Sequence, residues 1–324
     1  MKERTKIDWT SENMSRDELM AIQEKRLKAL LKRAWDHVPF YRRIWKEQGF
    51  SPEQVKSVDD IIKIPFISKK DIADSMAQYP PFGDYQGDFP AVRIQASTGS
   101  TGKPKPIFHT LNDWDNITSL WARRLRAQGV TPKDMVQIAF AYTLFIVGFT
   151  STEGVMKTGA TVIPTGSGAV TPSERQLQIA HDWGVTVFGC TGSYMLHLAD
   201  VARKMGFDPL KDFKIRASFH TAEPLTEEMR IDIERLWGCK AYNNYGSVET
   251  GAPTFECERQ DGLHISEDAY IFEVIDSASG MPVPDGEEGE LAVTTLFKEA
   301  APLIRYRIGD IAAFVKGECG CGRT

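Results

Sequence analysis

Residues 215–250 read IRASFHTAEPLTEEMRIDIERLWGCKAYNNYGSVET, and this stretch decides the fold. The short apolar run Ile215–His220 predicts a strand, the helical spacing of apolar residues over Leu225–Trp237 predicts a helix, and Lys240–Asn244 predicts a second strand. Two strands joined through a helix pair in parallel, because the helix carries the chain back to the starting edge of the sheet. The stretch therefore predicts an α/β fold.

The same alternation of strands and helices extends over residues 91–250. Short apolar strands that alternate with helices favour largely parallel sheet layers covered by helices on both faces. The predicted strands before residue 215 are Val92–Gln95, Met135–Phe140, Ala160–Pro164 and Val185–Gly189. The predicted helices between them are Asp113–Gln128, Phe149–Lys157, Ser173–Trp183 and Tyr194–Met205.

The chain on either side of this core has different patterns. Residues 15–50 carry apolar residues at helical spacing that Pro39 interrupts, and Asp59–Ile62 and Lys69–Met76 predict short helices. After residue 250 the pattern predicts strands and no helix; the strands are Leu263–Ile275, Gly289–Leu296 and Ile311–Val315. We therefore divide the chain into an N-terminal helical segment (1–90), an α/β core (91–250) and a small antiparallel or barrel-like β subdomain (251–324).

Composition excludes several classes of protein. The chain has 324 residues, of which 42% are hydrophobic and 26% charged, as in ordinary globular proteins. A net charge of −5 argues against a broad nucleic-acid interface, and no apolar run is long enough to span a bilayer. The charged N-terminus lacks the apolar centre of a signal peptide, and five cysteines are an odd number for a disulfide framework. We expect a cytoplasmic protein; a homodimer stays open.

A loop rich in hydroxyl side chains and glycine follows the first predicted strand of the core. Residues 97–105 read STGSTGKPK. Free backbone N–H groups, hydroxyl donors and the cation of Lys103 suit a polyphosphate. The loop is not a Walker A motif, because Ser97 stands at the place of its first glycine and Pro104 follows the lysine. The alternative is a flexible surface turn, since these are turn residues.

Further polar segments come at the ends of predicted strands: TAEP at 221–224, NNYGSVE at 243–249 and RYRIGD at 305–310. Ligands of parallel α/β sheets bind beyond the carboxyl ends of the strands, so the first two segments could face one cleft. Each segment has a plainer interpretation. Glu223 could begin the following helix, and Asp310 could pair with Arg305 or Arg307.

Together these segments resemble the core motifs of the adenylate-forming superfamily, which includes acyl-CoA synthetases, luciferases and adenylation domains. The chain is most similar to phenylacetate–coenzyme A ligases, and the similarity runs from about residue 20 to the end. The resemblance rests on HVPFYR at 37–42, STGSTGKPK, YGSVETG at 245–251, DGLHISED at 261–268 and RYRIGD.

The resemblance implies a role for each segment. Residues that would hold the ATP phosphates are Ser97, Thr98, Gly99, Ser100, Thr101, Gly102 and Lys103. Residues that would border the adenine and the acyl pocket are Thr221, Ala222, Glu223 and Pro224. Residues that would frame the adenine are Asn244, Tyr245 and Gly246, with Ser247 near the α-phosphate. Glu249 would ligate Mg²⁺, and Asp310 would accept hydrogen bonds from both ribose hydroxyls.

The implied reaction activates an aromatic acid as an acyl-adenylate and then transfers the acyl group to coenzyme A. Phe140, Tyr142 and Phe145 would line the acyl pocket with Thr221; the alternative is that these rings are core residues. Superfamily members carry a further C-terminal domain of roughly a hundred residues, which supplies a catalytic lysine. The chain stops at Thr324, where that domain would begin, so we assign no catalytic residue and expect impaired adenylation. The alternative functions are a non-catalytic nucleotide- or acyl-binding remnant, or a relative that adenylylates another cofactor or carrier.

Cys257, His264, Cys319 and Cys321 offer three thiols and one imidazole, which is the ligand set of a closed structural zinc site. The Cys-x-Cys spacing is tighter than that of common zinc ligand pairs. The alternative is that these residues are free thiols and a surface histidine. A zinc ion with four protein ligands would stabilise the β subdomain and perform no chemistry.

Overall fold

A computed structural model of the chain describes residues 4–9, 13–97, 104–315, 317 and 319–323. The chain divides into two compact units. The terminal unit contains residues 1–116 and 266–324, and the middle unit contains residues 117–265. The three segments drawn from the sequence follow the pattern of predicted strands and helices, whereas these units follow contacts within the chain.

The chain begins with helices, as the sequence predicts. In order, the elements up to the middle unit are α1 (Arg16–His37), α2 (Pro39–Glu47), β1 (Ile67–Ser68), α3 (Lys69–Gln78), β2 (Arg93–Ser97), β3 (Lys105–His109) and α4 (Leu111–Ala127). Ser15 and Glu18 form a capping box at the start of α1, and Pro39 occupies the first turn of α2, where its missing N–H costs nothing. The segment predicted as a helix over Asp59–Ile62 is a 3-10 helix, Val58–Lys63.

The middle unit alternates strands and helices. Its elements are β4 (Met135–Ile138), α5 (Val147–Thr158), β5 (Thr161–Ile163), α6 (Ser173–Trp183), β6 (Val187–Gly189), α7 (Gly192–Lys204), β7 (Ala217–His220), α8 (Glu227–Trp237) and β8 (Lys240–Asn243). Gly184 and Gly238 end α6 and α8 in the left-handed conformation that favours glycine. The short strands β9 (Thr254–Phe255) and β10 (His264–Ile265) pair antiparallel.

Five of these strands form one parallel sheet in the order β5-β4-β6-β7-β8. Its core includes Leu177 and Leu198 from the helices and Phe188 from β6, all of them fully buried. Asp134, just before β4, accepts hydrogen bonds from Thr186 (2.8 Å) and Arg216 (2.9 Å), which precede β6 and β7. Burial raises the pKa of Asp134, but these hydrogen bonds outweigh it and lower the pKa to about 2. A charged carboxylate thus connects the amino ends of β4, β6 and β7 through hydrogen bonds. The carboxyl ends of these strands lie at the opposite edge of the sheet.

The terminal unit contains a second sheet. Its C-terminal strands are β11 (Tyr270–Ile275), β12 (Glu288–Thr295) and β13 (Tyr306–Ala313), and the sheet order is β1-β13-β12-β11. These strands pair antiparallel except that β1 lies parallel to β13. Two predictions are corrected. The run predicted as one strand, Leu263–Ile275, is broken at a turn that separates β10 from β11, and the strand predicted over Ile311–Val315 begins at Tyr306.

Arg305 lies at the centre of the terminal unit. Its buried guanidinium donates to the carboxylate of Glu273 at 2.7 Å and to the carbonyl oxygen of Ile64 at 2.9 Å, and it stacks 3.7 Å from the Phe66 ring. Arg307 pairs with Glu290. These two arginines of the RYRIGD segment therefore have carboxylate partners on β11 and β12. Among the described residues, no helix combines the length and apolar content that crossing a bilayer requires.

Candidate functional site

A cavity of about 490 Å³ lies in the middle unit, beyond the carboxyl ends of its parallel strands. Every strand of the sheet is followed by a segment that contributes to the wall. These segments are Ala139–Ala141 after β4, Ser167 and Gly168 after β5, Thr191 after β6, Thr221 and Ala222 after β7, and Gly246–Val248 after β8. This is the place where open α/β sheets bind ligands.

The wall of this cavity is mainly apolar. Trp121 comes from α4, Phe140 from the end of β4, and Phe145–Val147 from the start of α5. Arg124, also from α4, is the exception: its buried guanidinium donates to the carbonyl oxygen of Thr254 at 3.0 Å and lies 4.2 Å from the Trp121 ring. An apolar cavity with a few fixed polar groups is typical of sites for small organic ligands.

The TAEP segment leaves the sheet in an unusual backbone conformation. Ala222 has φ = 75°, in the left-handed region that non-glycine residues rarely adopt. The carboxylate of Glu223 accepts hydrogen bonds from the backbone N–H of Ser193 (2.6 Å) and from its hydroxyl (3.0 Å). Glu223 therefore binds the first turn of α7, rather than the helix that follows it in the sequence.

The loop after β8 is held in one conformation by its own contacts. The Ser247 N–H donates to Thr250 Oγ1 at 3.0 Å, the Thr250 N–H donates to Ser247 Oγ at 3.1 Å, and the Gly251 N–H donates to the Ser247 carbonyl at 2.8 Å. A Cβ atom on Gly246 would lie 2.3 Å from the Gly251 carbonyl oxygen, so only glycine fits there. This rigid turn places backbone atoms of Gly246 and Ser247 on the cavity wall.

Most residues expected to contact the acyl group lie on this wall. Phe140, Phe145 and Thr221 line the cavity. Tyr142 is absent from the lining: its hydroxyl lies 2.6 Å from Thr152 Oγ1, and burial raises its pKa despite this hydrogen bond.

The remaining expected nucleotide-binding residues are divided between the units. In the middle unit, Pro224 is exposed, Asn244 is buried, and Tyr245 and Glu249 are half-buried on the loop after β8. In the terminal unit, Ser97 ends β2, where it pairs with Lys105, and Asp310 is exposed on β13. Thr98–Lys103 lie outside the described residues.

Comparisons with known proteins decide the family. The AMP-binding enzyme family matches residues 49–296. The chain belongs to this family. The resemblance stated from the motifs and the α/β fold class are thereby confirmed.

Individual relatives of this AMP-binding enzyme cover almost all of the chain. It is 38% identical to phenylacetate-coenzyme A ligase of Thermus thermophilus, over 97% of this chain and 69% of that enzyme. It is 40% identical to the Escherichia coli ligase of the same name, over 97% of this chain and 71% of that enzyme. An open conformation of 2-hydroxyisobutyryl-CoA ligase, in complex with 2-HIB-AMP and CoA, has a TM-score of 0.90 and 32% identity, over 97% of this chain and 74% of that one.

Sequence reasoning missed the residues behind the loop after β8. Gln128 Nε2, at the end of α4, donates to Asn244 Oδ1 at 2.8 Å, and Asn244 Nδ2 donates to the His220 carbonyl at 3.2 Å. Glu256 accepts from Arg230 at 2.6 Å and from the Asn243 N–H at 2.6 Å. Gln128 is 116 residues from Asn244, so no local pattern could have indicated this contact. The side chain of Asn244 thus makes hydrogen bonds to other parts of the protein.

Burial keeps Cys190, Cys239 and His220 of the middle unit uncharged. Burial raises the pKa of the Cys190 thiol well above its usual value and that of Cys239 to about 11. Burial also lowers the pKa of His220 to about 4, although its hydrogen bond to the Cys190 carbonyl opposes this effect. At pH 7 both thiols and the imidazole are therefore neutral.

The expected zinc ligands form a close pair in each unit. In the middle unit, the Cys257 sulfur and a ring nitrogen of His264 lie within 4.8 Å, and the His264 ring stacks on Phe255 with ring centres 5.8 Å apart. In the terminal unit, the sulfurs of Cys319 and Cys321 lie within 4.8 Å of each other. Each pair is close enough for both of its atoms to bind one metal ion.

Proposed function

We propose that the chain activates an aromatic carboxylic acid with ATP, and that the acyl-adenylate then reacts with coenzyme A to give a thioester. The observation that carries the proposal is the apolar cavity of the middle unit, whose wall includes Gly246–Val248 of the loop after β8. The cavity fits an aryl group, and the loop is the segment that would meet the α-phosphate. The phenylacetate-coenzyme A ligases that the chain resembles support the same reaction class.

Both proposed steps are displacements that need no protein nucleophile. In the first, a carboxylate oxygen attacks the α-phosphorus of ATP, an O–P bond forms, and pyrophosphate leaves. In the second, the coenzyme A sulfur attacks the acyl carbon, its proton is lost to solvent or base, and AMP leaves. The protein would orient the reactants and stabilise the charge that develops on the phosphate oxygens.

The nucleotide roles follow the motifs. Ser97–Lys103 would bind the β- and γ-phosphates, and Asp310 would accept from the ribose hydroxyls. Tyr245 and Gly246 would frame the adenine with Ala222, Glu223 and Pro224. Glu249, a half-buried carboxylate on the rigid loop, is a suitable oxygen ligand for Mg²⁺, which would neutralise phosphate charge when bound.

Acid-dependent exchange of labelled pyrophosphate into ATP tests the first step. We expect phenylacetate to support exchange by the full natural chain, and Glu249→Gln in that chain to reduce it by at least about tenfold because a charged ligand is lost. Glu228→Gln, on the exposed first turn of α8, is the matched control and should exchange like the parent chain. Binding of ATP without exchange would instead support a non-catalytic nucleotide- or acyl-binding protein.

We also propose that Cys257, His264, Cys319 and Cys321 hold a structural zinc ion. The support is the donor chemistry, three thiols and one imidazole, together with the closeness of each pair. Zinc should be measured by mass spectrometry on protein purified without added metal. We expect about one ion per chain, a large loss in Cys321→Ser, and no loss in the Cys239→Ala control; a stoichiometry near zero in the parent chain would overturn the proposal.

No disulfide joins any of the five cysteines, all of which lie within the described residues. We propose a reducing, cytoplasmic compartment, which this cysteine usage supports.

A further inference from the structure

Two neighbouring strands of the parallel sheet, β6 and β7, are followed by segments that both contribute to the cavity wall. The wall residues of these segments are Thr191 and Tyr194 after β6, and Thr221 and Ala222 after β7. The backbone pairing of the two strands extends as far as the Cys190 N–H, which donates to the Phe219 carbonyl oxygen at 3.2 Å. Beyond this point side chains join the two segments.

Two side chains from the end of β7 continue the connection. His220 Nδ1 lies 3.0 Å from the Cys190 carbonyl oxygen, and Nδ1 is the donor because a carbonyl oxygen can only accept. Three residues further on, the carboxylate of Glu223 accepts from the Ser193 N–H at 2.6 Å and from the Ser193 hydroxyl at 3.0 Å. Glu223 therefore connects the segment after β7 to the first turn of α7.

The first turn of α7 suits this contact with a carboxylate. The Ser193 N–H is one of the first N–H groups of the helix, which have no acceptor within the helix, and the helix dipole favours a negative charge at this end. The turn also packs closely on the segment after β7, since a Cβ atom on Gly192 would lie 3.0 Å from Leu225 Cδ1. Glycine at 192 thus permits the short distance between Glu223 and Ser193.

The same hydrogen bonds favour the unusual backbone of the cavity wall. Ala222 immediately precedes Glu223, and its φ of 75° sets the direction in which the chain leaves the wall. With Ala222 in an ordinary conformation, the chain would leave in another direction and would carry the Glu223 carboxylate away from Ser193. The bonds to Ser193 therefore stabilise the left-handed conformation of Ala222.

We propose that Glu223 is a positioning residue of the ligand cavity. Under the proposed function, on which this inference rests, the TAEP segment borders the adenine and the acyl group. The carboxylate of Glu223 binds Ser193 and not the ligand, and it thereby holds the wall segments after β6 and β7 in the arrangement that the ligand needs. Without this carboxylate the wall adopts further arrangements, and the apparent affinity falls with the fraction of chains that keep the competent one.

Calorimetric titration with AMP tests the proposal. We expect Glu223→Ala to bind AMP about fivefold more weakly than the parent chain, which is the effect of one net hydrogen bond. Glu223→Gln should recover most of the affinity, because the amide oxygen still accepts from the Ser193 N–H.

Glu234→Ala is the matched control. The Glu234 carboxylate also accepts from a backbone N–H, that of Ala241 at 3.0 Å, and from a side chain, that of Gln260 at 2.8 Å. Among the described residues that form the cavity wall, Glu234 is not included. This variant should therefore bind AMP like the parent chain, whatever stability it loses.

Ser193→Ala completes a double-mutant cycle that separates positioning from direct contact. In the parent chain it should weaken AMP binding by about twofold, because the hydroxyl is lost and the N–H still donates. In the Glu223→Ala chain it should have no further effect. Additive losses, or a Glu223→Gln chain that binds as weakly as Glu223→Ala, would show that Glu223 contacts the nucleotide and would overturn the proposal.

The remaining outcomes distinguish this proposal from the proposed function. If Glu223→Ala binds AMP like the parent chain, Glu223 is not a positioning residue and the ligase function is unaffected. If the parent chain binds neither AMP nor phenylacetate, both proposals are wrong. Thermal unfolding of each variant establishes that it is folded.

Discussion

The left-handed alanine in the TAEP segment carries a cost that glycine would avoid. A left-handed conformation costs an alanine roughly 1–2 kcal/mol, and a glycine at the same place avoids this cost. Glycine also has a larger conformational entropy in the unfolded chain, which offsets part of the stability gained by the substitution. We expect Ala222→Gly, at φ = 75°, to change the free energy of unfolding by 0 to about +1 kcal/mol, measured by urea denaturation. The same change also removes a methyl group from the cavity wall.

The matched control is Ala241→Gly, in the regular strand β8. There glycine has no strain to relieve, so we expect a loss of about 1 kcal/mol or more. If both variants lose stability equally, the left-handed conformation of Ala222 is not a source of strain. If the predicted difference appears, the alanine is retained in the wall at the expense of stability, as strained residues at functional sites often are.

At the scale of elements, α4 supports the loop that follows β8. Gln128→Met keeps the length of the side chain and leaves Asn244 Oδ1 buried without this donor, which costs about 1–3 kcal/mol of unfolding free energy. Because the backbone after Asn244 forms the rigid turn on the cavity wall, we expect the affinity for AMP to fall as well. Denaturation and calorimetric titration with AMP are the two measurements.

Gln178→Met provides the comparison for that experiment. Gln178 is half-buried on α6 and, in the hydrogen bonds described, contacts only the nearby Asp182, so its loss should change stability by less than about 0.5 kcal/mol. A Gln128→Met chain that binds AMP like the parent would show that α4 stabilises the unit without positioning the loop.

The elements also show what could be predicted from the sequence. The parallel strands and their helices are local patterns of apolar spacing, so α6 was predicted over its full range, Ser173–Trp183, and the other helices of the sheet to within a few residues. Strand β1, only two residues long, was missed because its pairing with β13 involves residues 239 positions apart (67 and 306). The start of β13 was missed because RYRIGD is polar, whereas Arg305 is buried against Glu273 and Phe66.

The candidate site divides in the same way. The motifs predicted that the segments after β7 and β8 could face one cleft, because both follow strand ends, and both contribute residues to the cavity wall. They could not predict Arg124 or Tyr194, since a helix residue enters the wall only through the packing of that helix on the sheet. Local sequence therefore predicts the loop segments of the site, whereas the helix side chains that complete the cavity wall depend on tertiary contacts.

At the scale of the whole molecule, each unit contains a buried histidine that resists protonation. Burial lowers the pKa of His220 in the middle unit to about 4, and burial, with the charges of Lys298 and Arg93, lowers that of His109 in the terminal unit well below 6.5. An unfolded histidine has a pKa of about 6.5, so the unfolded chain binds more protons in this range. Stability contributed by each imidazole is therefore present above pH 6.5 and lost as the pH falls.

Each histidine should contribute a slope of about 1.4 kcal/mol per pH unit below pH 6.5, and His220 should continue to do so until about pH 4. Urea denaturation at pH 7, 6 and 5 should show the slope flattened by about that amount in His220→Gln and again in His109→Gln, because glutamine does not titrate. If both variants kept the parent's slope, the prediction would be wrong. The loss of stability in acid would then come from carboxylates, and His220 and His109 would take up protons in the folded chain.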